Sequence, residues 1–152
     1  MRRVLSFLMI VVLSGFVWAC ARQASGDTPD SAQDGLKVFI SVDMEGIAGV
    51  VHGGETGSSG PDSQRARKLT TLDASAAVEG ALAAGATEVV VRDGHGAKTN
   101  IIPELLHKDA KLLRGVTARP ENMMLGLDDS FDAVVFIGYH AKAGTEEGIL
   151  AH

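Results

Sequence analysis

From residue 36 onward the chain alternates short apolar runs with longer mixed stretches. Residues 36–42 (LKVFISV) are rich in β-branched and aromatic side chains and stop at Asp43, which predicts a strand. Residues 51–63 (VHGGETGSSGPDS) lack any period and are crowded with Gly and Ser, which predicts a loop. Residues 64–84 place Leu69, Leu72, Ala76 and Leu82 at helical spacing, with Gly85 as the stop. Residues 88–92 (EVVVR) read as a second strand ending at Asp93. A short helix over 103–107 and a short strand over 111–114 follow. Residues 133–138 (AVVFIG) form a further apolar run that ends at Tyr139 and His140. Strands alternating with helices predict an α/β domain with a largely parallel sheet flanked by helices.

The N-terminal segment has a different pattern. Arg2 and Arg3 precede residues 4–19, which are apolar except for Ser6, Ser14 and Gly15. Sixteen residues fall short of the roughly 20 needed to span a membrane. A basic start, an apolar centre and a small residue before the break describe a secretory signal over residues 1–19. The break, Val17-Trp18-Ala19-Cys20, resembles a bacterial lipobox. This predicts a lipidated Cys20 and an outer-membrane lipoprotein facing the periplasm, with plain secretion to the periplasm as the alternative. Residues 20–35 are small and polar and read as a flexible tether. Cys20 is the only cysteine, so an intramolecular disulfide and a cysteine metal site are excluded.

Without that signal 133 of the 152 residues remain, enough for one modest domain. A composition of 45% hydrophobic and 22% charged residues excludes a wholly disordered chain. Trp18 falls in the signal, which leaves Phe39, Phe131, Phe136 and Tyr139 as the aromatic side chains of the domain. These are too few to stack a nucleic-acid strand. The formal charge of −5, which becomes −7 without Arg2 and Arg3, disfavours phosphate-backbone binding as well. Nucleic acid is not an expected partner.

Asp43 and Glu45, Asp93 and His95, and His140 all lie just past the carboxyl ends of apolar strands. In open parallel α/β sheets, sites form in the crevice beyond those ends. Residues two apart in extended backbone share a side, so Asp43 can stand beside Glu45 and Asp93 beside His95. Two carboxylates and two imidazoles would suit Zn²⁺, and a carboxylate can bridge a pair of ions. Polar residues that simply terminate strands would give the same pattern.

The blocks Ser41-Val42-Asp43-Met44-Glu45-Gly46-Ile47-Ala48-Gly49, Thr87-Glu88-Val89-Val90-Val91-Arg92-Asp93-Gly94-His95, Gly126-Leu127-Asp128-Asp129-Ser130-Phe131 and Gly138-Tyr139-His140-Ala141-Lys142-Ala143 occur in order across residues 36–152. This arrangement resembles the D-aminopeptidase family, the DppA-like zinc peptidases. The resemblance implies a centre of two Zn²⁺ ions that cleaves N-terminal D-amino acids from short peptides by metal-assisted amide hydrolysis. Asp43 matches the carboxylate that binds both metals, and Glu45, His95 and His140 match further ligands. His152, at the end of Gly148-Ile149-Leu150-Ala151-His152, matches the family's catalytic histidine. A neutral imidazole can relay a proton at neutral pH. Asp93 is a candidate for orienting a ligand imidazole. The resemblance also implies a homo-oligomeric ring and a further Glu ligand beyond residue 152. The C-terminal part of the family fold is thus expected to be missing, with this chain a fragment whose own activity is expected to be impaired.

Two rival readings come from other classes. The run of strand, Asp43, Met44 and Glu45 is similar to the nucleophile motif of haloacid-dehalogenase-like phosphatases, but those use Mg²⁺ and leave His95 and His140 unexplained. The other is a truncated, non-catalytic lipoprotein that binds a metal or a peptide. His52 and His107 read as solvated. Residues 53–60 lack the Gly-Lys-Ser/Thr ending of a phosphate loop. Lys142 could hold a substrate carboxylate, but it reads rather as a solvated lysine.

Overall fold

A computed structural model describes residues 35–116 and 121–152. The predicted signal, Cys20 and all of the predicted tether except Gly35 lie outside the described residues. The domain contains β1 (Lys37–Val42), α1 (Gly53–Thr56), α2 (Ser63–Ala83), β2 (Glu88–Asp93), β3 (Ala110–Leu113) and β4 (Ala133–Ile137). Single 3₁₀ turns occupy Pro103–Leu105 and Asn122–Met124. The four strands form one sheet in the order β3-β2-β1-β4, and every pairing is parallel. The α/β class and the parallel sheet expected from the sequence are what the structure contains.

This strand order fixes where a site can form. The chain steps outward from β1 to β2 to β3 and then crosses back to place β4 on the other side of β1. Successive connections therefore leave β1 in opposite directions, and a crevice opens beyond its carboxyl end.

Strand alternation sorts the two faces of the sheet. Val38, Ile40 and Val42 of β1 and Val89 and Val91 of β2 pack with Ala74 and Val78 of α2 in the main core. Burying a Val or Ile side chain contributes about 1.5–3 kcal/mol, so this layer anchors the domain. On the opposite face Phe39 meets Phe131 edge-on at 5.3 Å, and Ser41 and Arg92 hydrogen-bond to Met123 O and Asn122 O. The crossover to β4 thus covers β1 and β2 on the face that α2 leaves free.

Several elements differ from expectation. Helix α2 buries Ala66, Thr70, Thr71, Ala74 and Val78, while Leu72 is 45% exposed. Small residues let the helix approach the sheet closely, and Thr70 and Thr71 satisfy their hydroxyls on the carbonyls of Ala66 and Arg67. Gly85 does end the helix. At φ +98 it takes the left-handed position of a Schellman cap, with Gly85 N–H bonded to Leu82 O and Ala86 N–H to Ala81 O. The loop expected over 51–63 contains the helical turn α1, and the short helix expected over 103–107 is a 3₁₀ turn. The third strand lies one residue earlier than expected, at Ala110–Leu113.

Candidate metal centre

Asp43 and Glu45 leave the carboxyl end of β1, His95 that of β2 and His140 that of β4. Asp43 and Glu45 are only 4% and 6% exposed, so two carboxylates sit in a site with little water. One ligand atom from each of Asp43, Glu45 and His140 lies within 4.8 Å of the others. His95 joins the same carboxylates, its Nδ1 being 3.2 Å from Asp43 Oδ1 and 3.1 Å from Glu45 Oε2. The other oxygen of Asp43, Oδ2, faces His140 Nε2 at 3.8 Å. Asp43 therefore presents one oxygen to each histidine.

Hydrogen bonds to carbonyls fix the ring nitrogens, because a carbonyl only accepts. His140 donates Nδ1–H to Ala141 O at 2.7 Å, which leaves Nε2 for the site. His95 donates Nε2–H to Thr56 O at 2.8 Å. His152 donates Nδ1–H to Leu150 O at 2.9 Å, and its ring stacks on that of His140 with centroids 3.9 Å apart and planes 17° from parallel. The stack places exposed His152 against His140, the histidine that faces Asp43.

The site is built to hold positive charge. Burial works toward raising the Glu45 carboxyl, but hydrogen bonding and charge from His95 outweigh it and hold the group at about 2. Burial also works against a charged His95. Its bonds to Asp43, Glu45 and the Thr56 carbonyl prevail and push the imidazole up to about 10. Without a metal, His95 carries the cation that the two acids demand. An array of carboxylate oxygens and imidazole nitrogens is also a donor set that Zn²⁺ accepts.

The bonds of Asp93 run to backbone and amide groups rather than directly to an imidazole nitrogen. Its carboxylate accepts from the backbone N–H groups of Asn100 and Ile101 at 2.6 and 2.8 Å and from Asn100 Nδ2 at 3.0 Å. Asn100 Nδ2 also donates to His95 O at 2.6 Å. Asp93 thus reaches the backbone of His95 through Asn100. Its register partner is Val42, so Asp93 lies on the α2 face, where Asn100 and Ile101 meet it.

On the other flank, Asp43 N–H bonds to Ile137 O and Gly46 N–H to Gly138 O, both at 2.8 Å. This zips the β1 and β4 ends together. Gly138 has φ +68, and a Cβ there would collide with Asp43 O, so only glycine fits the position without strain. The Tyr139 hydroxyl bonds to Ser41 Oγ at 2.7 Å, and Ser41 Oγ donates to Met123 O at 2.8 Å.

A profile described as D-aminopeptidase matches residues 36–152. The chain belongs to the D-aminopeptidase family. A D-aminopeptidase of Bacillus subtilis (strain 168) is 38% identical over 117 residues, which cover 77% of this chain and 42% of that protein. The solved structure described as the Zn-dependent D-aminopeptidase DppA from Bacillus subtilis, a self-compartmentalizing protease, superposes with a TM-score of 0.74 at 38% identity. It covers 77% of this chain and 42% of its own. The chain thus spans less than half the length of these D-aminopeptidases.

The supporting side chains were not among the expected site residues. Asn100 is an ordinary polar residue on a loop with no motif to mark it, and Tyr139 lies within the block over residues 138–143 but is not singled out there as a site residue. A trace of α1 was present, since His52 and Glu55 stand three apart, as in a capping box. His52 is exposed, as expected, and its Nδ1 accepts from Gly54 N–H at 2.9 Å as the cap of α1. His107 is half-buried and accepts from Asp109 N–H through Nδ1. Lys142 is exposed, its carbonyl accepts from Thr145 N–H, and its ammonium forms no ion pair among the described residues.

Proposed function

We propose that the protein is a zinc-dependent aminopeptidase that removes N-terminal D-amino acids, such as D-Ala, from short peptides. The observation that carries this reading is the placement of His95 and His140 against different oxygens of Asp43 in a chain of the D-aminopeptidase family. Asp43, Glu45, His95 and His140 would hold the zinc, His140 through Nε2, with Asp43 placed between the two histidines. When bound, zinc supplies Lewis acidity toward the scissile carbonyl and toward water.

The chain's own groups complete the reaction. His152 keeps its Nδ1 proton on Leu150 O, so Nε2 would take the proton of the attacking water and deliver it to the amine that leaves as the C–N bond breaks. Stacking on His140 limits the tilt of that ring. Loading the intact protein, to which this reading applies, with zinc and supplying D-Ala dipeptides beside their L-counterparts tests the reading. Hydrolysis of the D-series is expected, and His152→Ala should lower it about 10²–10⁴-fold. Turnover of phosphate esters with Mg²⁺ would move the protein to the phosphatase class. Zinc binding without peptide turnover would leave the non-catalytic reading.

The same proposal extends to assembly and location. The description of the solved relative as self-compartmentalizing supports a homo-oligomeric ring, which light scattering checks. Lipidation at Cys20 would hold the domain at the outer membrane facing the periplasm, beside D-Ala-containing wall peptides. Cys20→Ser should then release it from the membrane fraction.

A further inference from the structure

We infer that Glu55 is a positioning residue for the metal centre: by closing the α1 turn it holds the Thr56 carbonyl on His95 Nε2, so that His95 offers Nδ1 to the metal. The coordination half of this inference rests on the zinc reading above.

Four residues of helix are too few to persist alone, and α1 lies in a stretch rich in Gly and Ser. Its shape comes from side chains. Glu55 is 9% exposed despite its place on a loop. Its Oε2 accepts from the backbone N–H groups of Val51 and His52 at 2.8 and 3.0 Å. Its Oε1 accepts from Arg65 Nη1 at 3.2 Å, and the same nitrogen donates to Gly49 O at 3.0 Å. One carboxylate therefore ties the start of the turn to itself and to α2.

The far end of the turn supplies the consequence. The carbonyls of a last helical turn lack partners within the helix, and that of Thr56 finds His95 Nε2 at 2.8 Å. The proton on Nε2 sets the lone pair of the neutral ring at Nδ1, which already lies 3.1–3.2 Å from Glu45 and Asp43. Glu55 touches neither acid. It acts on the centre through the Thr56 backbone, and no ligand-spacing motif would reveal it.

The test uses the full chain with ¹⁵N-labelled histidine, with and without zinc. Long-range ¹H–¹⁵N correlation of the zinc-loaded chain should show His95 bound through Nδ1 with a proton on Nε2. In the metal-free chain that Nε2–H should exchange slowly with solvent. Glu55→Ala should speed this exchange and weaken zinc binding about 10–100-fold. Glu55→Gln, which keeps an acceptor oxygen, should recover most of the affinity. Arg65→Gln should cost only about two- to fivefold, and it serves if Glu55→Ala does not fold. Coordination through Nε2, or unchanged exchange and affinity in a folded Glu55→Ala, would overturn the inference. Failure of the wild-type chain to bind zinc overturns the metal-centre reading instead, and the Nε2–H exchange still decides the role of Glu55.

Discussion

The turn that carries His95 leaves a strand whose side chains are buried from Val89 to Asp93, whereas the turn that carries His140 leaves a strand on which Val134, Val135 and Phe136 are 36–56% exposed. Both strands pair with β1, and their sequences are similarly apolar. Their turns are held in different ways. The segment after β2 is pinned by Asp93, by Asn100, by Arg67 on Asn100 O and Thr99 O, and by Arg114 on Thr99 O. The segment after β4 depends on a close backbone fit at Gly46 and Gly138 and on the hydroxyl pair of Tyr139 and Ser41. One side of the centre is fastened by charged and amide side chains, and the other by shape. Among the described residues, then, two similarly apolar strands carry turns held by different kinds of contact.

Removing what the two sides share should have the largest effect. Asp43→Ala removes the carboxylate that faces both histidines, and calorimetric titration with zinc should show affinity reduced at least about 100-fold. Removal of the metal should have the next-largest effect, and through the β2 side. His95 is raised from 6.5 to about 10 in the folded chain, so its contribution to stability is complete below pH 6.5 and lost as pH rises through 10. Glu45 is lowered from 4.5 to about 2, so its contribution is complete above pH 4.5 and lost as pH falls through 2. Denaturant titrations of the metal-free chain should therefore show a plateau between about pH 4.5 and 6.5. His95→Gln should abolish the alkaline decline, and a decline that persists in this variant would refute the assignment.

Two substitutions then separate the flanks. Gly138→Ala forces an alanine into a left-handed backbone against Asp43 O, and should cost about 1–3 kcal/mol in denaturant melts. Asn100→Ala cuts the link from Asp93 to His95 O, and should weaken zinc about tenfold while changing stability less than Gly138→Ala does. The smallest effect is expected from Tyr139→Phe, which removes one hydroxyl contact worth about 1 kcal/mol. Equal zinc losses from Asn100→Ala and Tyr139→Phe would erase the proposed contrast between the sides.

Much of this was legible because polar residues interrupt apolar runs. Asp43, Glu45, His95 and His140 each stand at such an interruption, and strand geometry carries them to one end of the sheet. The buried stripe of α2 was harder to read, since its contact residues are Ala and Thr and its Leu72 faces outward. The partners of Asp93 were illegible for another reason. A carboxylate that caps backbone N–H groups seven and eight residues on leaves no period in the sequence. The α1 turn was hidden by its glycines, whose freedom argues for a loop until the bonds of Glu55 are seen.

Both acids follow the central strand, and the histidines follow the strands on either side of it. Neighbouring strands lie about 4.8 Å apart because main-chain hydrogen bonds set that distance. The sheet is therefore a ruler laid across the site, graduated by the backbone and indifferent to which apolar side chains fill the core. A repacked core can change how firmly the ruler is held, but its markings stay where they are.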